Sequence, residues 1–132
     1  METALRIALA DWLRTDHDLG QSLNAIVEEG PSPAPAPTLG IVASAAADWS
    51  TKTAMGREVR IALELIDRSD VPDRTASLIE RIERRIATLD PAQDGFRIVV
   101  TQFLRSRAER RTRNVRAVLL EYRFRLLETS TE

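Results

Sequence analysis

Arg105, Arg107, Arg110, Arg111, Arg113 and Arg116 form the densest concentration of one chemistry in this chain of 132 residues. Guanidinium groups pair bidentately with carboxylates and phosphates, and in the local sequence only Glu109 answers them. Such a cluster fits a solvated hairpin tip, a contact with an acidic protein partner, or a phosphate-binding surface whose affinity falls with salt. No aromatic residue is interleaved among the arginines to stack on bases, as single-strand binders require. A second candidate is Trp49-Ser50-Thr51-Lys52, a tryptophan followed by polar turn residues. It reads equally as a core plug or as an interface anchor.

Other candidate chemistry is weaker. His17 is the sole histidine and stands between Asp16 and Asp18. A triad would need it beside a serine and a carboxylate, and a metal site would need further ligands. A solvated loop histidine is the expectation. Glu28-Glu29 could do acid–base work only in a pocket that shifts their pKa values, and they stand beside a turn. Gly-rich phosphate loops, dinucleotide fingerprints and Gly-x-Ser-x-Gly elbows are absent. The chain is therefore expected not to be an enzyme, with no catalytic residue, metal or cofactor.

Composition points the same way. The length suits one domain, 1–132, able to bury a core. A formal net charge of −1 argues against general polyanion binding by the whole chain. Positive charge is almost all arginine, with Lys52 the sole lysine, a bias that high-GC coding also produces. Cysteine is absent, which removes disulfides and thiolate ligands. No apolar run approaches the roughly 20 residues of a membrane span, and no signal peptide is read at Met1-Glu2-Thr3-Ala4-Leu5-Arg6. A cytoplasmic site of synthesis is the default.

Several elements must position these candidates. Leu5, Ala8, Leu9, Trp12 and Leu13 recur at helical spacing, which predicts a helix over 3–14 capped by Thr3, with Trp12 in the core. A break at 16–20, with room for one helical turn before Gly20, leads to a short strand over 23–27. Proline at every second position from Pro31 to Pro37 favours an extended polyproline II connector within the domain. A strand is expected over 39–44. Residues 59–65 satisfy both periods: Val59, Ile61, Leu63 and Leu65 alternate, while Val59, Ala62, Leu63 and Ile66 share a helical face.

Ser69 or Asp70 is expected to cap a second main helix, with Pro72 in its first turn. Its buried stripe is Leu78, Ile82, Ile86 and Leu89, and Glu80, Arg81, Glu83, Arg84 and Arg85 face out. Asp90-Pro91 closes it. Residues 96–104 are β-rich, and 115–127 alternate, with Val118, Leu120, Tyr122, Phe124 and Leu126 on one face. Ala117, Leu119, Glu121, Arg123 and Arg125 take the other. The two runs form an antiparallel hairpin with 105–114 as its polar link.

The stretch Ala47-Asp48-Trp49-Ser50-Thr51, leading through Gly56 into Arg57-Glu58-Val59-Arg60-Ile61-Ala62-Leu63-Glu64-Leu65, resembles the small tail-completion or tail-terminator proteins of long-tailed phages and gene transfer agents. The element order, the small-residue run before the Trp-Ser turn and the ending Tyr122-Arg123-Phe124-Arg125 carry the resemblance over nearly the whole chain. The Pro31–Pro37 tract and the arginine-rich link depart from it. The resemblance settles 59–65 as a strand. It implies an α+β fold similar to lambda-type tail terminators, an antiparallel or mixed sheet with two main helices packed on one face.

It also implies a structural role: a ring, commonly a hexamer, at the head-proximal end of the tail tube. The ring would stop tube polymerisation and offer the head-docking surface. Implied partners are further copies, the tail tube protein and head connector or adaptor proteins. DNA would pass through the lumen without sequence-specific binding, and no membrane is involved. The implied location is the virion tail, assembled in the bacterial cytoplasm. Interface residues expected on this reading are Trp49, Ser50, Thr51 and Lys52, with Arg105, Arg107, Arg110, Arg111 and Arg113. Alternatives are a head–tail adaptor or stopper, or a nucleic-acid-binding protein using the hairpin at 105–116.

Overall fold

The computed structural model describes residues 1–68 and 70–129. Its elements are α1 (Glu2–Arg14), α2 (His17–Ser22), β1 (Ala25–Val27), β2 (Thr38–Asp48), β3 (Gly56–Arg68), α3 (Pro72–Ala87), β4 (Ala92–Gln93), β5 (Phe96–Arg110) and β6 (Val115–Glu128). One six-stranded sheet runs in the order β1-β2-β3-β6-β5-β4. β1 joins β2 in parallel and every other pair is antiparallel, so the sheet is mixed and the fold is α+β.

Strand alternation decides where the core sits. Val59, Ile61, Leu63 and Leu65 of β3 are buried beside Val118, Leu120, Tyr122, Phe124 and Leu126 of β6. These side chains pack with Leu5, Leu9 and Leu13 of α1 and Leu78, Ile82 and Ile86 of α3 in one cluster. Both main helices therefore cover the same face of the sheet, as expected. Period-2 burial outweighs the helical reading of 59–65, because β3 has strand partners on both sides.

Several local expectations are corrected. The cap of α1 is Met1 rather than Thr3, whose hydroxyl makes no capping bond. The first helix does break before Asp16 as expected, and the helical turn that follows is longer than expected: Asp16 accepts from the Leu19 N–H at 3.0 Å and starts α2, which continues past Gly20 to Ser22. Ser69 lies outside the described residues. Asp70 does not cap α3; Val71 holds that position without a side-chain bond, and Pro72 occupies the first turn. The face of α3 expected in solvent is partly spent on packing. Arg85 lies 3.3 Å from the Trp12 ring centroid, and its backbone carbonyl accepts the Trp12 indole N–H at 2.8 Å. Trp12 is half-buried against the core. Arg81 donates to Ser22 at 3.0 Å.

The proline tract does not run as a single extended rod. It is the crossover between parallel strands, so the chain must reverse and it bends twice. Asn24 holds the far end, donating from its side chain to the carbonyls of Pro35 at 2.8 Å and Ala36 at 3.1 Å. Its backbone N–H donates to Pro37 at 2.8 Å.

The largest correction concerns the arginine-rich link. β5 continues to Arg110, leaving a turn at 111–114 in which Arg113 and Asn114 have φ of 62° and 60°. Two consecutive left-handed residues make a tight hairpin turn. Ala117 takes the solvent face of β6 as expected, yet it is 3% exposed between its cross-strand neighbours Ile66 and Glu109.

Candidate assembly surfaces

Because alternate strand residues point to opposite faces, extending β5 divides the arginine cluster. Arg105 and Arg107 stand opposite Glu121 and Leu119 on the face without helices. Arg110 stands opposite Arg116, which is opposite Asp67, on the helix-covered face. Arg111 and Arg113 occupy the turn. The structure thus brings no single basic patch together.

Nor is Glu109 the sole counter-charge. Arg105 pairs with Glu121, and Arg111 pairs with Glu64 at 3.2 Å and Glu109 at 3.3 Å. The hydrogen bond to Glu121 pushes the Arg105 pKa up, and that from Arg105 holds the Glu121 carboxyl below the usual range. The Glu109 hydrogen bond likewise raises Arg111. Further along this face Arg125 and Arg123 meet Glu58 at 3.1 and 3.8 Å, and Arg123 also donates to Gln102. The result is a ladder of cross-strand charge pairs that sets Arg105, Arg111, Arg123 and Arg125 against glutamates on the open face. Sequence reading missed this ladder; its signal was the charged alternation Glu58, Arg60, Glu64 against Glu121, Arg123, Arg125. Among the described residues, Arg107, Arg110 and Arg113 have no ion pair.

The Trp49 turn is built by its own side chains. Ser50 Oγ donates to Asp48 Oδ1 at 2.6 Å and accepts from the Gly56 N–H at 3.0 Å. Thr51 Oγ1 accepts from the Ala54 N–H at 3.0 Å, while the Thr51 N–H reaches the Ala54 carbonyl at 2.8 Å. Gly56 is required here: a Cβ would stand 2.4 Å from the Trp49 carbonyl oxygen and 2.9 Å from that of Leu126. Trp49 is half-buried with the Arg125 guanidinium 5.4 Å from its ring centroid. Ser50 and Thr51 are thus committed to the loop, and Lys52 and Met55 are left outward.

The two sequence-derived patches lie far apart. Gly56 pairs with Leu127 at one end of the β3–β6 ladder, and Arg68 pairs with Val115 at the other. At about 3.3 Å per residue, the Trp49 loop and the arginine turn are separated by about 40 Å.

A further feature lies in the sheet's flanks. β1 covers β2 only at Thr38–Gly40, and β4 covers β5 only at Phe96–Arg97. One more backbone bond follows on each side, Gly30 N–H to Ile41 at 2.8 Å and Ile98 N–H to Pro91 at 2.7 Å. From there to Asp48 and to Arg110 the outer edges have no strand partner among the described residues. Exposed edges are templates for another chain.

Elsewhere, His17 is exposed on α2 and Glu28 pairs with Arg6 at 3.0 Å. Among the described residues no group of three or more His, Asp or Glu could hold a metal ion, and no helix is long and apolar enough to cross a membrane. A groove of about 530 Å³ on the open face is lined by Ala43, Ala45, Ala62, Leu104, Arg105 and Glu121. Those residues come from strands on opposite flanks, so the sheet curls.

One curled sheet, helices on a single face, a charge ladder on the other and free flanking edges define a small α+β structural subunit of the assembling kind. The model of the family described as "Tail completion protein gp17" matches residues 7–127, and the chain belongs to that family of structural phage tail proteins. The fold is similar to a chain of the structure titled "Virion of native gene transfer agent (GTA) particle". That similarity has a TM-score of 0.77 and 22% identity, and it covers 94% of this chain and 95% of the other. No curated protein matches the chain in sequence.

Proposed function

We propose that copies of this protein close into a ring at the head-proximal end of a tail tube, halt tube polymerisation and present the surface to which the head docks. The observation that carries this reading is the pair of free edges on β2 and β5, at opposite flanks of one curled sheet. Reading across the order β2-β3-β6-β5, β2 and β5 run in opposite directions. A neighbour's β2 added outside β5 would therefore continue the antiparallel pattern, and repeating that step with rotation closes a ring. Side-chain size supports the match: Ala43, Ala45, Ala46 and Ala47 of β2 leave room for Phe103, Leu104 and Arg105 of β5. Six copies are the number expected from the family resemblance.

Ring closure would consume the edges, leaving the two ends of the sheet for other partners. The Trp49–Met55 loop and the Arg111–Asn114 turn then serve opposite rims, one toward the tail tube protein and one toward head connector or adaptor proteins. On this reading Trp49, Lys52 and Met55 supply one contact and Arg107, Arg110 and Arg113 the other, with Ser50 and Thr51 shaping the first. DNA passing through the lumen would meet no sequence-specific contact. The gene transfer agent chain of the same fold, found in a virion, supports a place in the particle.

Deleting the gene in its producing strain and measuring tails by negative-stain electron microscopy tests the reading. Overlong, headless or irregular tails, restored by the native protein, are expected. Normal tails joined to full heads would refute it.

A further inference from the structure

Among the described residues, all three register shifts between paired strands fall in β2 and β5, the two strands with free edges. The central pair β3–β6 runs in unbroken register from Gly56↔Leu127 to Arg68↔Val115. Each shift leaves one apolar residue without a partner: Val42 in β2, Val99 and Leu104 in β5. Their positions are specific. Val42 follows Ile41 and Val99 follows Ile98, the last residues with an outer backbone partner. Leu104 lies midway along the free edge of β5. A bulge bends its strand, raises the twist and misaligns neighbouring N–H and C=O groups, and a twisted edge resists further pairing.

Resting on the ring reading above, we infer that these bulges are the device that keeps free subunits apart. A second copy of this chain is the occupant of each edge. In the isolated subunit the bulged edges offer its β2 a broken row of donors and acceptors, so pairing in solution is weak. A copy already held at the tube end supplies the missing order, because its edge is fixed and multivalent ring closure adds to each contact. Assembly is thereby confined to the place where the ring is needed. The exposed Val99 and Phe103, at 42% and 44%, lie on this same edge and become covered when the neighbour adds.

The deletions ΔVal42, ΔVal99 and ΔLeu104 test this singly. Each removes only the extra residue. The flanking pairs Ile41↔Leu63 and Ala43↔Ala62, Ile98↔Leu126 and Val100↔Arg125, Phe103↔Tyr122 and Arg105↔Glu121 already alternate between faces, so they keep their places. Sedimentation velocity of the native protein at micromolar concentration should show monomer. Folded deletion variants, checked by circular dichroism, should associate about tenfold more tightly per bulge removed, the equivalent of roughly one restored ladder hydrogen bond. Adding Ala45→Arg to ΔLeu104 should abolish that gain, because residue 45 lies on the same open face as Arg105 and Arg107 and sets bulk and like charge against them. Native protein that forms rings unaided at micromolar concentration would overturn the inference and leave the ring reading standing. So would folded deletion variants that stay as monomeric as the native chain, or ΔLeu104 association that survives Ala45→Arg. The ring reading itself is judged by the tail phenotype, which none of these measurements touches.

Discussion

Gly56→Ala is the sharpest test of the geometry at the Trp49 loop. The added methyl would meet the Trp49 carbonyl oxygen at 2.4 Å and the Leu126 carbonyl oxygen at 2.9 Å. Both are backbone atoms on paired segments, so neither can swing away as a side chain would. Leu127 Cδ2, at 3.0 Å, can. Relief requires moving the Trp49 carbonyl by about half an ångström or more, which strains the Trp49 N–H bond to the Gly56 carbonyl and the Gly56 N–H bond to Ser50 Oγ, both 3.0 Å. Forced overpacking costs about 1–3 kcal/mol, and each weakened hydrogen bond adds about 1 kcal/mol. Alanine recovers about 0.4–1 kcal/mol by restricting the unfolded chain. The net is a loss of about 2–4 kcal/mol, or a Tm lower by roughly 8–16 °C for a domain of this size. Urea unfolding followed by circular dichroism reads it. Gly95→Ala is the control: its φ is +85° with nothing within 4 Å of the new Cβ, so backbone strain of about 1 kcal/mol is the whole cost. An alanine at 56 within about 0.5 kcal/mol of native, or a costlier one at 95, would refute the reasoning.

Three further outcomes are expected. Asp67 is fully buried and accepts from Thr75 Oγ1 at 2.8 Å and the Arg68 N–H at 2.9 Å, with Arg74 at 3.3 Å. Asp67→Ala should therefore cost about 3 kcal/mol in urea unfolding and loosen the start of α3, and amide exchange at residues 73–76 should rise. Trp12→Ala removes the Arg85 stack and the bond to the Arg85 carbonyl, which join α1 to α3; a loss of about 2–3 kcal/mol is expected by thermal melting. Tyr122, the sole tyrosine, has its phenol pushed well above the ordinary range by burial and, secondarily, by Glu83. The folded state favours the neutral ring, so its contribution is intact below about pH 10 and is lost as pH rises beyond that. Tyrosinate absorbance should appear only together with unfolding; free titration near pH 10 in folded protein would contradict the burial.

How much of this was legible in the chain depends on the range of the interaction concerned. The buried stripe Leu78, Ile82, Ile86 and the alternating face Val118 to Leu126 are local periodicities, and each is written within a few residues of its neighbours. The order of helices and strands, the α+β class and the family resemblance followed from such signals. Where the strands ended did not. β5 runs six residues past Leu104 because β6 offers it partners to Arg110, a fact no window around the arginines contains.

The fate of the arginines makes the same division. Composition and spacing established that they were many and locally under-balanced. Register alone decided that Arg105 meets a glutamate sixteen residues onward, that Arg111 meets one forty-seven residues back, and that Arg125 meets one sixty-seven back. It also set Arg110 on the opposite face from Arg105 and put the Trp49 loop at the far end of the sheet. Local sequence determines which way a side chain points along its own strand; cross-strand pairing determines what it finds there, because residues remote in the chain become neighbours only when the sheet closes around the core.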